Sequence, residues 1–245
     1  MTSEAKSETN DIKSIDTVSL SDNGVSFDVT FLEAVKPSCI VLFSVGSGGN
    51  PERHLPLLEA LAKHGCNVVA PHFERLASPK PTDEELLLRA RRLRLALDRA
   101  ALPNLPITGI GHSIGATVLV TFAGGQIWMG PGHQLQIEPD ERLSRLVLMT
   151  PATGFFQAPG ALDDFRVPLP LLIWAGTNDV ITPPAQATFL KQSLENRVLV
   201  DLRVIDGAGH FSFMNTLPPQ TIDPLPNREV FLADLAVAIC QFVTK

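Results

Sequence analysis

The chain has 245 residues, 44% of them hydrophobic and 19% charged, with a formal net charge of −6. Those values exclude a disordered polymer and describe a globular chain long enough to bury a sheet on both faces. The negative balance argues against nucleic acid or an anionic membrane surface as the partner, and no run of about 18 apolar residues is present to span a bilayer.

Met1 to Thr17 is polar and mixed in charge, without the apolar centre of a secretory signal. Residues 1–14 are expected to form a flexible tail, and residues 15–245 a single domain. The cysteines are Cys39, Cys66 and Cys240, two of them in apolar runs and none in a C-x-x-C spacing. They read as buried free thiols in a reducing compartment, so the expected location is cytoplasmic.

Ile15–Leu20 and Val25–Leu32 alternate apolar and polar residues around Ser21-Asp22-Asn23-Gly24. Asn-Gly between alternating runs predicts an antiparallel hairpin. Cys39–Val45 is apolar on both faces, as a central parallel strand requires. It empties into Gly46-Ser47-Gly48-Gly49-Asn50. A helix is predicted from Pro51 to His64, capped by Asn50, with Leu55, Leu58, Leu61 and Ala62 inward and Gly65 as its stop.

Asn67–Pro71 is the next strand and leads into His72. Asp83–Leu102 is a long amphipathic helix carrying Arg89, Arg91, Arg92, Arg94 and Arg99. These arginines read as a solvated face, with Leu88, Leu93 and Leu97 packed on the sheet. Leu105–Ile110 is a strand and Ala116–Ala123 a helix. Gly124–Asp140 is irregular and glycine-rich. Strands follow at Leu143–Thr150, Leu169–Ala175 and Val198–Ile205, with a helix from Pro183 to Leu194 and a last one from Asn227, as its cap, to Phe242. Strands alternating with helices after a hairpin predict an α/β fold: a mostly parallel twisted sheet with helices on both faces.

The most informative stretch is Gly111-His112-Ser113-Ile114-Gly115, between the Leu105 strand and the Ala116 helix. Strand, sharp turn and helix around G-x-S-x-G form the context of a nucleophile elbow. The alternative for Ser113 is a helix cap. Functional groups on a parallel sheet collect at the carboxyl ends of the strands. Asp179, in Gly176-Thr177-Asn178-Asp179, and His210, in Gly207-Ala208-Gly209-His210, both stand at such ends. The order Ser113, Asp179, His210 is that of α/β-hydrolases. Asp179 is alternatively a turn residue, and Asp206 is the rival acid.

From Ile15 onward the chain resembles the α/β-hydrolase fold superfamily, and within it the small serine esterases and dienelactone-hydrolase-like proteins. The resemblance rests on Gly46-Ser47-Gly48-Gly49, the elbow, and the segments ending at Asp179 and His210. Two features depart from it. Val45 precedes Gly46 where His is usual, and the elbow carries serine where dienelactone hydrolases carry cysteine. The resemblance implies that Ser113 is the nucleophile, His210 its base and Asp179 the orienting acid, with the amides of Ser47 and Ile114 as the oxyanion hole. It also implies hydrolysis of a small ester or thioester.

A serine hydroxyl needs an adjacent base to attack. His210 would take its proton and return it to the leaving group. Acyl transfer on the same residues and non-catalytic ligand binding on the same fold are the other readings. Phe156, Phe211 and His72 are the expected substrate-binding residues; core packing is the default role of such phenylalanines. His112 is expected to pack beside the elbow. His54, His64 and His133 show no ligand spacing, so neither metal nor cofactor is expected, and the partner is a small-molecule ester. Pro151–Pro168 is too short for a large cap domain, which leaves Gly124–Asp140 as the candidate for a partial cover. Oligomeric state stays open.

Overall fold

The computed structural model describes residues 11–102 and 104–245. Most of the expected tail lies outside that range. Its last residues do not: β1 runs Ile12–Asp22, so residues 12–14 are strand. β2 (Val25–Ala34) pairs antiparallel with β1 across Asn23-Gly24, both at positive φ, which is the hairpin that Asn-Gly dictates.

In chain order the next strands are β3 (Cys39–Ser44), β4 (Cys66–Pro71) and β5 (Ile107–His112). β6 (Ile127–Gly130) and β7 (His133–Leu135) form a separate antiparallel pair. β8 (Leu143–Met149), β9 (Leu171–Gly176) and β10 (Val200–Ile205) complete the main sheet. Its strand order is β1-β2-β4-β3-β5-β8-β9-β10, and every pair from β4 to β10 is parallel. β3, β5 and β9 are buried at every residue, because helices cover both faces.

A turn of 3-10 helix, Pro51–His54, leads into α1 (Leu55–Lys63). The other helices are α2 (Asp83–Ala100), α3 (Ile114–Phe122), α4 (Pro184–Leu194) and α5 (Arg228–Val243). α1 packs with α5, α2 packs with α3, and α4 covers β9 and β10.

Four further expectations need correction. Cys39 and Cys66 are bonded as a disulfide, and only Cys240 is a free thiol. The two are register partners on β3 and β4, with Cα atoms 4.7 Å apart. Spacing along the chain carries no trace of that register, and the basis for a reducing compartment goes with the free thiols. No described helix is long and apolar enough to cross a membrane.

The arginine face of α2 is not all solvated. Arg89 and Arg92 are buried: Arg89 lies over the Phe73 ring and donates to the Val45 carbonyl, and Arg92 lies over Phe27. Asp22 at the end of β1 accepts a bidentate pair from Arg91 at 2.5 and 2.9 Å and lies 3.5 Å from Arg92. The Gly124–Asp140 stretch is not wholly irregular, since it holds the β6–β7 pair. Finally, Asn227 occupies the cap position of α5 in a left-handed conformation, but its side chain makes no capping bond.

Candidate active site

β5 is a central strand, and its chain turns directly into α3 at Ser113. The serine backbone sits at φ 56°, ψ −126°, a region an L-residue occupies only when its surroundings enforce it. Two glycines allow the turn. A Cβ on Gly111 would come within 2.6 Å of the Ala116 backbone, and one on Gly115 within 2.1 Å of the Ser44 carbonyl oxygen. The Ser113 amide donates to the Met149 carbonyl on β8 at 2.9 Å, and its side chain makes no cap bond to α3. The hydroxyl is therefore left for another partner.

That partner is His210, at the start of the 3-10 turn that follows β10. Its Nε2 lies 3.0 Å from Ser113 Oγ, and its Nδ1 lies 2.8 Å from Asp179 Oδ2. Facing a carboxylate, Nδ1 carries the proton, and Nε2 is left to accept from the serine. The acid follows β9. Asp179 Oδ1 accepts from the amides of Ile181 and Thr182, both at 2.8 Å. Oδ2 also accepts from Thr182 Oγ1 at 2.8 Å, and that same hydroxyl lies 3.0 Å from His210 Nδ1. Burial pushes the Asp179 pKa up, but the hydrogen bonds from His210 and Thr182 outweigh it and hold the carboxyl below its ordinary value. The acid is thus ionised and fully partnered. Asp206, the rival, instead accepts from Thr177 Oγ1 at 3.1 Å.

The loop after β3 runs against the elbow. A Cβ on Gly46 would lie 3.4 Å from Ser113 Cβ. The buried guanidinium of Arg89 holds this loop through the Val45 carbonyl at 3.1 Å, and burial lowers its pKa only to about 10, so it keeps its charge. Among the described residues no loop or cap carbonyl accepts from the amide of Ser47 or Ile114. Ile114, as the first residue of α3, has no acceptor within the helix.

Three imidazoles, those of His54, His112 and His210, lie in file. The ring centroids of His54 and His112 are 5.4 Å apart, and those of His112 and His210 are 5.0 Å apart. His112 is buried beside the elbow, as its place in the motif predicts, and its Nε2 lies 3.0 Å from the His210 carbonyl, to which it donates. Burial first, then the neighbouring imidazoles of His210 and His54, against which a second positive charge would be repelled, hold its pKa well below the ordinary value. His54 is lowered to about 3 by burial, with Arg53 adding to the effect. Both are neutral spacers. Among the described residues no three metal-ligating side chains gather as a metal site.

A cleft of about 530 Å³ opens in front of Ser113 and His210. Phe211 lines it, edge-on to His210 at 5.2 Å. The other two expected substrate contacts are elsewhere. Phe156 is core, buried against Gly125 at the end of α3. His72 is drawn to β2, where its Nε2 lies 2.7 Å from Thr30 Oγ1, because β4 pairs with β2 at its carboxyl end. Gly124–Asp140 contributes nothing to the lining. Besides the elbow and the loop after β3, the lining comes from Met214 and residues 218–221, together with Asn50, Arg53, His54 and Arg75. Sequence reasoning missed these. Asn50 and Arg75 did carry a signal, since each lies in a loop leaving the carboxyl end of a strand. The same applies to Thr182, three residues after the acid.

The sequence matches no family model and no curated protein. The structure is similar to several solved ones. Esterase 2 of Thermogutta terrifontis, phosphorylated by paraoxon, superposes with a TM-score of 0.64 over 93% of each chain at 15% identity. An esterase of Pyrococcus furiosus gives 0.65 over 94% of this chain and 92% of its own at 16% identity. The chain has the α/β-hydrolase fold. A predicted hydrolase of Thermoplasma acidophilum shares it, with a TM-score of 0.63 and 15% identity over 93% of this chain and 99% of its own. In α/β-hydrolase terms, the loops after β3, β5, β9 and β10 deliver the groups around the cleft. Those loops carried the sequence resemblance.

Proposed function

We propose that the protein is a serine hydrolase that cleaves a small ester or thioester through an acyl-enzyme. The observation that carries this reading is the continuous chain of contacts from Asp179 Oδ2 to His210 Nδ1 at 2.8 Å and from His210 Nε2 to Ser113 Oγ at 3.0 Å. As the hydroxyl attacks the substrate carbonyl carbon, its proton passes to Nε2. The imidazolium so formed is stabilised by the ionised Asp179. The new oxyanion is met by the amides of Ser47 and Ile114, each worth about 3 kcal/mol to the transition state. His210 then gives its proton to the departing alkoxide or thiolate, and the acyl group is left on Ser113 Oγ. Water enters, His210 takes its proton, and the acid is released as the serine is reprotonated. Burial of the Asp179–His210 pair strengthens the electrostatic part of each step.

The test is turnover of p-nitrophenyl acetate and labelling by a fluorophosphonate probe, for wild type and Ser113→Ala. Wild type is expected to turn over the ester and take one equivalent of probe. The variant is expected to do neither while keeping its thermal transition. Equal turnover by the two proteins, or a wild type inert to the probe as a mere ligand binder would be, refutes the reading.

A further inference from the structure

The cleft has a sign opposite to that of the chain. Formal net charge is −6, yet the lining holds Arg53 and Arg75 and no Asp or Glu. The two arginines differ in what holds them. Arg53 is half-buried and anchored: Nη1 donates to the Leu217 carbonyl at 2.5 Å, and its own carbonyl accepts from the Thr216 amide at 2.9 Å. It clasps the loop whose residues 218–221 line the cleft. Arg75, in the loop after β4, is exposed, and among the described residues its side chain is in no ion pair and no hydrogen bond. Its neighbour Glu74 and the nearby Glu52 are exposed and outside the lining, and Glu52 is turned to Asn50 Nδ2 at 3.2 Å.

His54 also borders the cleft, but both its ring nitrogens are buried and it offers a ligand no exposed donor. A guanidinium in the lining with its donors unspent suits an anion bearing several oxygens.

We propose that this chamber selects esters whose portion beyond the scissile bond ends in an anionic head group, a carboxylate or a phosphonate, bound by Arg75. The proposal rests on the serine-hydrolase reading of the same site. An unpaired cation at the mouth of an otherwise acidic protein also steers such a substrate inward.

The experiment compares matched ester pairs that differ only in the terminal charge. On the acyl side these are p-nitrophenyl hemiglutarate against p-nitrophenyl valerate, with p-nitrophenyl 4-phosphonobutyrate to separate carboxylate from phosphonate. On the alcohol side they are the butyrate ester of 4-hydroxybutyrate against butyl butyrate. In at least one pair kcat/KM is expected to favour the charged member by about tenfold, mostly through KM, and to lose that preference at high salt. Arg75→Gln should bring the ratio close to one, and Arg75→Lys should restore part of it. Neutral esters turned over with no preference in either pair, and ratios indifferent to Arg75→Gln, overturn the proposal and leave the hydrolase reading standing. If wild type turns over no ester, that reading fails, and calorimetry with glutarate monoanilide decides the anion site alone. Binding that Arg75→Gln weakens about tenfold upholds it; no binding, or equal binding by both, overturns it.

Discussion

Replacing Asp179 by asparagine tests the heart of the proposed chemistry, because the structure fixes which way the new amide must face. Oδ1 accepts from two backbone amides, Ile181 and Thr182, each at 2.8 Å. An amide NH2 there would set donor against two donors, so the asparagine oxygen takes that position. Its NH2 then faces His210 Nδ1, where Oδ2 accepted at 2.8 Å. Nδ1 must now accept, which moves the ring proton to Nε2, opposite Ser113 Oγ at 3.0 Å. A protonated Nε2 is no base for the serine. The imidazolium also loses its counter-charge. The expected loss in kcat is about ten-thousandfold, or about 5.4 kcal/mol.

Stability separates this from mere damage. The Asp179→Asn side chain would keep the two backbone bonds, whereas Asp179→Ala strands all four donors and should lower unfolding free energy by about 2–4 kcal/mol more. The assay is steady-state turnover of p-nitrophenyl acetate beside urea unfolding for both variants. If folded Asp179→Asn keeps kcat within about tenfold of wild type, the carboxylate does not set the tautomer, and the role given to it here is refuted.

Two further predictions concern the frame. Gly115→Ala puts a Cβ 2.1 Å from the Ser44 carbonyl oxygen and 2.5 Å from that of Val45, both buried backbone atoms with nowhere to go. It should cost about 3 kcal/mol in urea unfolding and most of the activity, since it pushes the Gly46-Ser47 loop off the serine; wild-type values for both would show that the elbow is looser than described. The Cys39–Cys66 disulfide closes a separation of 27 residues, and its reduction should lower stability by about 3.5 kcal/mol. Urea unfolding with and without reductant checks this. Alkylation after unfolding without reductant should mark Cys240 alone; three alkylated cysteines would mean the bond does not form.

Much of the site was legible because its signals are local. Asn23-Gly24 needs only its own turn geometry to make a hairpin. Gly111 and Gly115 are demanded by the sharp turn at Ser113, and the strand-end positions of Asp179 and His210 follow from hydrophobic runs that stop where they do. The order of these residues along the chain was enough to nominate them as a group.

What the sequence could not decide depends on which segments become neighbours. Cys39 and Cys66 are bonded because β3 and β4 pair in one particular register, and His72 leaves the cleft because β4 also pairs with β2. Arg89 and Arg92 lie on a helix that looked solvated; they are buried because β1, β2 and the loops after β3 and β4 close over them and supply Asp22, the Phe27 and Phe73 rings and the Val45 carbonyl. Phe156 went to the core for the same reason, and Arg75, His54 and the 218–221 loop became a chamber wall. Periodicity and turn chemistry act within about a helical turn of sequence. Side-chain surroundings are set by contacts between distant segments, and only the folded sheet states those.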